Sequence, residues 1–117
     1  MIADPTPQIV ADALTSARAL IAAGHCKGVA RQILPRGKRL YCLAGAIGET
    51  TGSVTDGDRH YPGIRIYASA KVAVLDQLPA PFTSIPQFND APATTPEMVC
   101  DVLQRATAAV LASGSDQ

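Results

Sequence analysis

Val10, Leu14, Ala17 and Ile21 recur every three or four residues between Thr6-Pro7 and Gly24. That spacing lines side chains along one face of an α-helix. Thr6 fits an N-cap, Pro7 fits the first helical position, where no N–H partner is needed, and Gly24 fits the stop. The pattern predicts a helix over 7–23. The same grammar returns near the other end of the chain. Thr95-Pro96-Glu97 opens a window in which Val99, Leu103, Ala106 and Val110 form the stripe, with Gly114 following its end. Thr94 and Glu97 also offer a capping box. The two windows align residue for residue at Thr-Pro-x-x-Val-x-Asp-x-Leu-x-x-Ala, yet nothing between them repeats. Convergence on one capped amphipathic design explains this better than duplication.

Between these windows the signals are shorter. Residues 24–28 predict a tight connection, 29–34 a short apolar piece of either type, and Pro35-Arg36-Gly37-Lys38 a turn. Leu40 to Ile47 is almost wholly apolar and predicts a buried segment. A helix over about 41–50 is favoured, with Gly45 marking a close contact; a central strand remains the alternative, because short apolar runs do not separate the two. Residues 48–63 predict a long loop. Ile64 to Val74 alternates like a strand, while Tyr67, Ala70, Val74 and Leu78 fit a helix face, and the length favours helix. After Pro79-Ala80-Pro81, residues 82–93 predict an ordered loop whose Phe82, Ile85 and Phe88 fill the core. The expected fold is mainly α: a small, single-domain helical bundle of three to four helices spanning 1–117. A short strand or hairpin is expected near 29–47 or 64–74, with frayed ends at 1–5 and 113–117.

Composition refines this picture. Alanine leads the apolar set, Trp is absent, and there are two Phe and three Tyr, so the core is built from small side chains suited to close helix packing. No apolar run is long enough to span a membrane, and the N-terminus lacks the pattern of a signal peptide. Cys26, Cys42 and Cys100 form no CxxC pair, which fits reduced thiols and predicts a cytoplasmic protein. Net charge is zero but unevenly spread. Arg18, Lys27, Arg31, Arg36, Lys38 and Arg39 fall in a stretch from Ala13 to Gly48 that has no acidic residue. That stretch either folds against the acidic remainder of the chain, the favoured reading, or faces an acidic partner or phosphate backbone.

Three segments together carry a resemblance: Gly24-x-Cys26-x-Gly28; Tyr41-Cys42-Leu43-x-Gly45-Ala46-Ile47; and Phe88-Asn89-Asp90-x-Pro92 before Thr95 and a Val-x-x-Leu-x-x-Ala helix. The chain resembles a family of small uncharacterised proteins of bacteria and their bacteriophages. In that family the aromatic before Asn-Asp is often Trp, where this chain has Phe88. The resemblance implies a cytosolic, mainly helical domain that is phage-encoded, and it implies no activity.

Cys42 is the strongest candidate for chemistry. It follows a basic turn near an expected helix start, and with His60 as base and Asn89 or Asp90 as orienter it sketches a cysteine hydrolase or acyltransferase. Its place inside an apolar run equally suits an inert core thiol, and that reading is favoured. His25, Cys26, Cys42, His60 and Cys100 lack the paired spacing of a zinc site, and Asp56-Gly57-Asp58 lacks the rest of a calcium loop. No metal and no cofactor is expected. Asn89-Asp90 fits a backbone-bonding role in its loop. No phosphate-binding glycine pattern is present, and only Tyr41 lies near the basic segment as a stacking group. The leading reading is a non-catalytic protein–protein interaction module whose partner is a second copy or a host protein. The alternatives are a Cys42 enzyme and, more weakly, nucleic-acid binding through Lys27, Arg31, Arg36, Lys38 and Arg39; no membrane is expected as partner.

Overall fold

A computed structural model describes residues 2–115. Among them are five helices and two β-hairpins: α1 Pro7–Ala23, β1 Arg31–Ile33, β2 Arg39–Tyr41, α2 Leu43–Thr50, β3 Val54–Asp56, β4 Arg59–Tyr61, α3 Gly63–Leu75, α4 Ile85–Asp90 and α5 Pro96–Ser115. The domain is mainly helical, and no described helix is long and apolar enough to cross a membrane.

The expected caps form. The Thr6 hydroxyl accepts from the Ile9 N–H at 3.2 Å and the Thr95 hydroxyl from the Met98 N–H at 3.2 Å, each satisfying an orphan donor of a first helical turn. Thr95, not Thr94, therefore serves as the cap of α5, and Thr94 is buried. α1 packs along α5 in an antiparallel sense. Pro7 and Val10 share a groove with Ala109 and Val110, while the Cys100 Sγ lies against the Arg18 carbonyl oxygen at 3.7 Å. Leu14, Ala17 and Ile21 of α1 meet Val99, Leu103 and Ala106 of α5, and Leu43, Ile47, Val74, Ile85 and Phe88 close the same core.

The middle of the chain follows a rule repeated twice: hairpin, buried tyrosine, capping residue, helix. In the first unit Arg31 pairs with Tyr41 and Ile33 with Arg39. The Gly37 N–H returns to the Leu34 carbonyl at 2.8 Å, and Gly37 takes φ 83°, so a three-residue turn with a left-handed last position joins the strands. In the second unit Val54 pairs with Tyr61 and Asp56 with Arg59. Gly57, at φ 63°, opens the two-residue turn in a conformation side chains avoid. The predicted long loop over 48–63 is thus largely a hairpin, and the strand considered for 64–74 is helix α3. Residues 82–93 likewise contain α4, capped by the Ser84 hydroxyl on the Gln87 N–H at 3.2 Å.

Each hairpin is also bridged by a residue flanking α1. His25 pairs with Tyr41 and Ile2 with His60, both in parallel. The Ala3 N–H donates to the His60 carbonyl at 2.9 Å, so residues 2 and 3, expected to fray, are tied to β4. Of the remaining terminal positions, Met1, Asp116 and Gln117 lie outside the described residues.

Gly45 is where α2 touches the first hairpin's approach. A Cβ there would run into the Ala30 carbonyl group, whose oxygen accepts from the Cys42 N–H at 3.1 Å. Because the obstacle is backbone, it cannot rotate away. Gly45→Ala is expected to cost about 2 kcal/mol of stability, the usual range for overpacking, read as a lowered urea midpoint with an unchanged slope.

Candidate functional site

α4 turns Phe88 into the core and carries Asn89, one residue on, toward the segment after α1. Asn89 is 1% exposed, and a primary amide buried so deeply must find partners for two donors and two acceptor lone pairs. It finds all four. Its Oδ1 accepts from the Leu43 N–H at 2.9 Å and lies 2.7 Å from His25 Nε2. Its Nδ2 donates to the Cys26 carbonyl at 3.1 Å and to Asp90 Oδ1 at 2.9 Å. The Leu43 N–H and the Cys26 carbonyl fix which end of the amide is oxygen. Since that oxygen can only accept, His25 Nε2 must carry a proton and donate to it.

Asp90 extends the network to the surface. Its Oδ1 also accepts from the Gly28 N–H at 2.9 Å. Those bonds hold its carboxyl below the usual carboxylate range, the Gly28 N–H contributing most and the Asn89 amide next, with slight burial opposing and Lys27 and His25 assisting. Lys27 Nζ donates to the Ala91 carbonyl at 2.6 Å. The segment from His25 to Gly28 is therefore clamped to α4 along its length.

Beside this clamp lies a cleft of about 190 Å³, lined by Gly28, Val29, Cys42, Ala44, Ile85 and Asn89 among others. Cys42 caps α2: its Sγ accepts from the Gly45 N–H at 3.3 Å, and the residue is half-buried. Cys26 is buried, its Sγ facing the Val29 carbonyl at 3.5 Å. Burial, first, and then the nearness of Cys42 and of Asp90 push its thiol up. Cys100 is elsewhere, on α5, and burial raises it too.

Of the four residues that sequence grouped for cysteine chemistry, the structure brings Cys42, Asn89 and Asp90 to one cleft. His60 lies on β4, where its Nδ1 is 3.4 Å from the Thr55 hydroxyl, and it does not line that cleft. The imidazole beside Asn89 is His25. No hydrogen bond joins either imidazole to the Cys42 sulfur among the described residues, and Asn89 has no lone pair or N–H left for a ligand. The arrangement works as a brace that orders the cleft walls. Sequence offered one signal for His25, its place inside the Gly24-x-Cys26-x-Gly28 segment, but only as a poor metal ligand. Among the described residues no three His, Cys, Asp or Glu side chains are placed to hold a metal ion.

The basic residues sit on and before the first hairpin. Lys27, Arg31, Arg36, Lys38 and Arg39 are all exposed. Ion pairs join Arg65 to Asp4 and Arg105 to Asp101. No carboxylate lies within ion-pair reach of Arg31, Arg36, Lys38 or Arg39 among the described residues. The acidic remainder of the chain meets the basic stretch at Lys27, beside the Asp90 carboxylate, and at Arg31, which shares a groove with Glu49, while Arg36, Lys38 and Arg39 make no ion pair among the described residues. Cross-strand partners share a face, so Arg31, Ile33 and Arg39 emerge on one side of the hairpin, with Ile33 57% exposed.

Residues 5–109 match the family described as Family of unknown function (DUF6197). No curated protein and no solved structure matches the chain.

Proposed function

The chain belongs to that family of unknown function, and we propose that it is a non-catalytic interaction module whose β1–β2 hairpin docks on an acidic protein surface. One observation carries this reading: Arg31, Arg36, Lys38 and Arg39 stand exposed without a carboxylate partner, around an apolar Ile33. Unpaired cations raise the rate of encounter with an acidic surface and select against basic ones. Ile33, and Val29 at 52% exposure, supply the apolar contact that a protein surface rewards and a phosphate backbone does not. The chain's zero net charge and the burial of Tyr41, the aromatic on the hairpin, favour a protein over a nucleic acid.

The test uses a fluorescein-labelled poly-glutamate peptide and a labelled DNA duplex of equal charge, followed by anisotropy at low and physiological salt. The peptide is expected to bind with an affinity that falls with salt. The triple reversal Arg36→Glu, Lys38→Glu, Arg39→Glu is expected to weaken binding at least tenfold while leaving stability within about 0.5 kcal/mol, as for other surface changes. Absence of peptide binding, or a duplex bound as tightly as the peptide, overturns the reading.

A further inference from the structure

Two cysteines meet at the neck of the first hairpin. The Tyr41 N–H donates to the Gly24 carbonyl and the Cys26 N–H to the Tyr41 carbonyl, both at 3.0 Å. These bonds make the parallel bridge between His25 and Tyr41, and Cys26 and Cys42 are the next residue along each strand. Residues in step beyond a parallel bridge leave the pair on the same face. The path from the Cys26 Cα through that hydrogen bond and the peptide to the Cys42 Cα limits their separation to about 7 Å by standard bond lengths. Disulfides span Cα separations of roughly 4.4–6.8 Å. The influence of Cys42 on the Cys26 thiol agrees with two neighbouring sulfurs.

We propose that Cys26 and Cys42 form a redox-active dithiol that closes to a disulfide across the base of the basic hairpin, by exchange with a low-molecular-weight disulfide. The half-buried Cys42 lines the cleft and is the attacking group; Cys26, 7% exposed, is the resolving one. The Cys42 thiolate forms a bond to one sulfur of the small disulfide, whose S–S bond breaks and whose other half leaves as a thiolate. The Cys26 thiolate then attacks Cys42 Sγ, forming the internal disulfide and expelling the second small thiolate. The two protons lost by the protein thiols end on the two small thiols, and the two electrons reduce the small disulfide. Cys26 Sγ must leave the Val29 carbonyl and Cys42 Sγ the Gly45 N–H, both weak sulfur hydrogen bonds. The product encloses β1, β2 and their turn in one covalent loop. Cys100, across the core on α5, stays reduced and serves as an internal control.

The experiment is titration of the full chain with oxidised glutathione, followed by intact mass and by maleimide counting of free thiols. The expected product is lighter by two hydrogens, retains one alkylatable thiol, and yields a peptide linking Cys26 to Cys42; dithiothreitol reverses it. Cys26→Ser is expected to stop at a stable glutathione adduct on Cys42, with circular dichroism confirming its fold. A wild-type chain that itself stops at that adduct, keeps three free thiols, or links through Cys100 overturns the proposal. None of these outcomes depends on whether the hairpin docks a partner.

Discussion

Asn89→Ala is expected to destabilise the protein by about 4 kcal/mol, because it strands buried backbone groups at about 1–3 kcal/mol each. Truncation leaves the Leu43 N–H and the Cys26 carbonyl without the partners they have now. His25 loses its acceptor and Asp90 a donor in the same step. Leu43 opens α2, Cys26 follows α1, and Asn89 sits on α4, so one side chain joins three elements that are distant in sequence. A domain of this size has a total stability of about 5–15 kcal/mol, and the variant should therefore be close to unfolding at 37 °C. Urea unfolding monitored by circular dichroism checks the figure. A loss below about 1 kcal/mol would mean that water takes over the amide's bonds, at odds with an enclosed site.

Phe88→Ala is expected to cost a similar amount, about 4 kcal/mol, by a different route. Phe88 is fully buried at 0% exposure and meets Phe82 edge-on, with ring centroids 5.5 Å apart at 66°. In a core built mainly from alanine and aliphatic side chains, with Tyr41 as its other buried aromatic, it is the largest fully buried group. Its removal opens a cavity beneath α4, in the core it shares with α2, that small neighbours cannot collapse to fill. Phe88→Leu should recover more than half of the loss, since it restores most of the volume and forfeits only the ring contact. If Ala and Leu were equally damaging, the ring geometry would outweigh the volume.

These two neighbouring residues also show how legible the chain was. Helices α1 and α5 could be read because long windows, caps and stops all agreed. The hairpins are built from three-residue strands, too short for alternation to register, and the Asp56-Gly57 turn signal was absorbed into an expected loop. α4 was hidden by Pro86, Asn89 and Pro92, although a cap residue followed by Pro in the first turn is a helix start. Phe88 could be placed in the core from its character alone. Asn89 could be read as structural, but its partners could not, because local backbone was the expectation and the bonds run to His25, Cys26 and Leu43. Two histidines stand almost equally far from Cys42 along the chain, and spacing alone does not tell which of them meets Asn89. Only the parallel bridge after α1 brings His25 to Asn89.

The bridges at both ends of α1 have a consequence for motion. Helix termini ordinarily fray and exchange their amides with solvent fastest. Here the chain entering α1 is bonded to β4 and the chain leaving it to β2, so loosening either end requires a hairpin to detach. Deuterium uptake at Ala3, Cys26 and Tyr41 should accordingly track global opening, making the first helix and both ribbons a single cooperative unit.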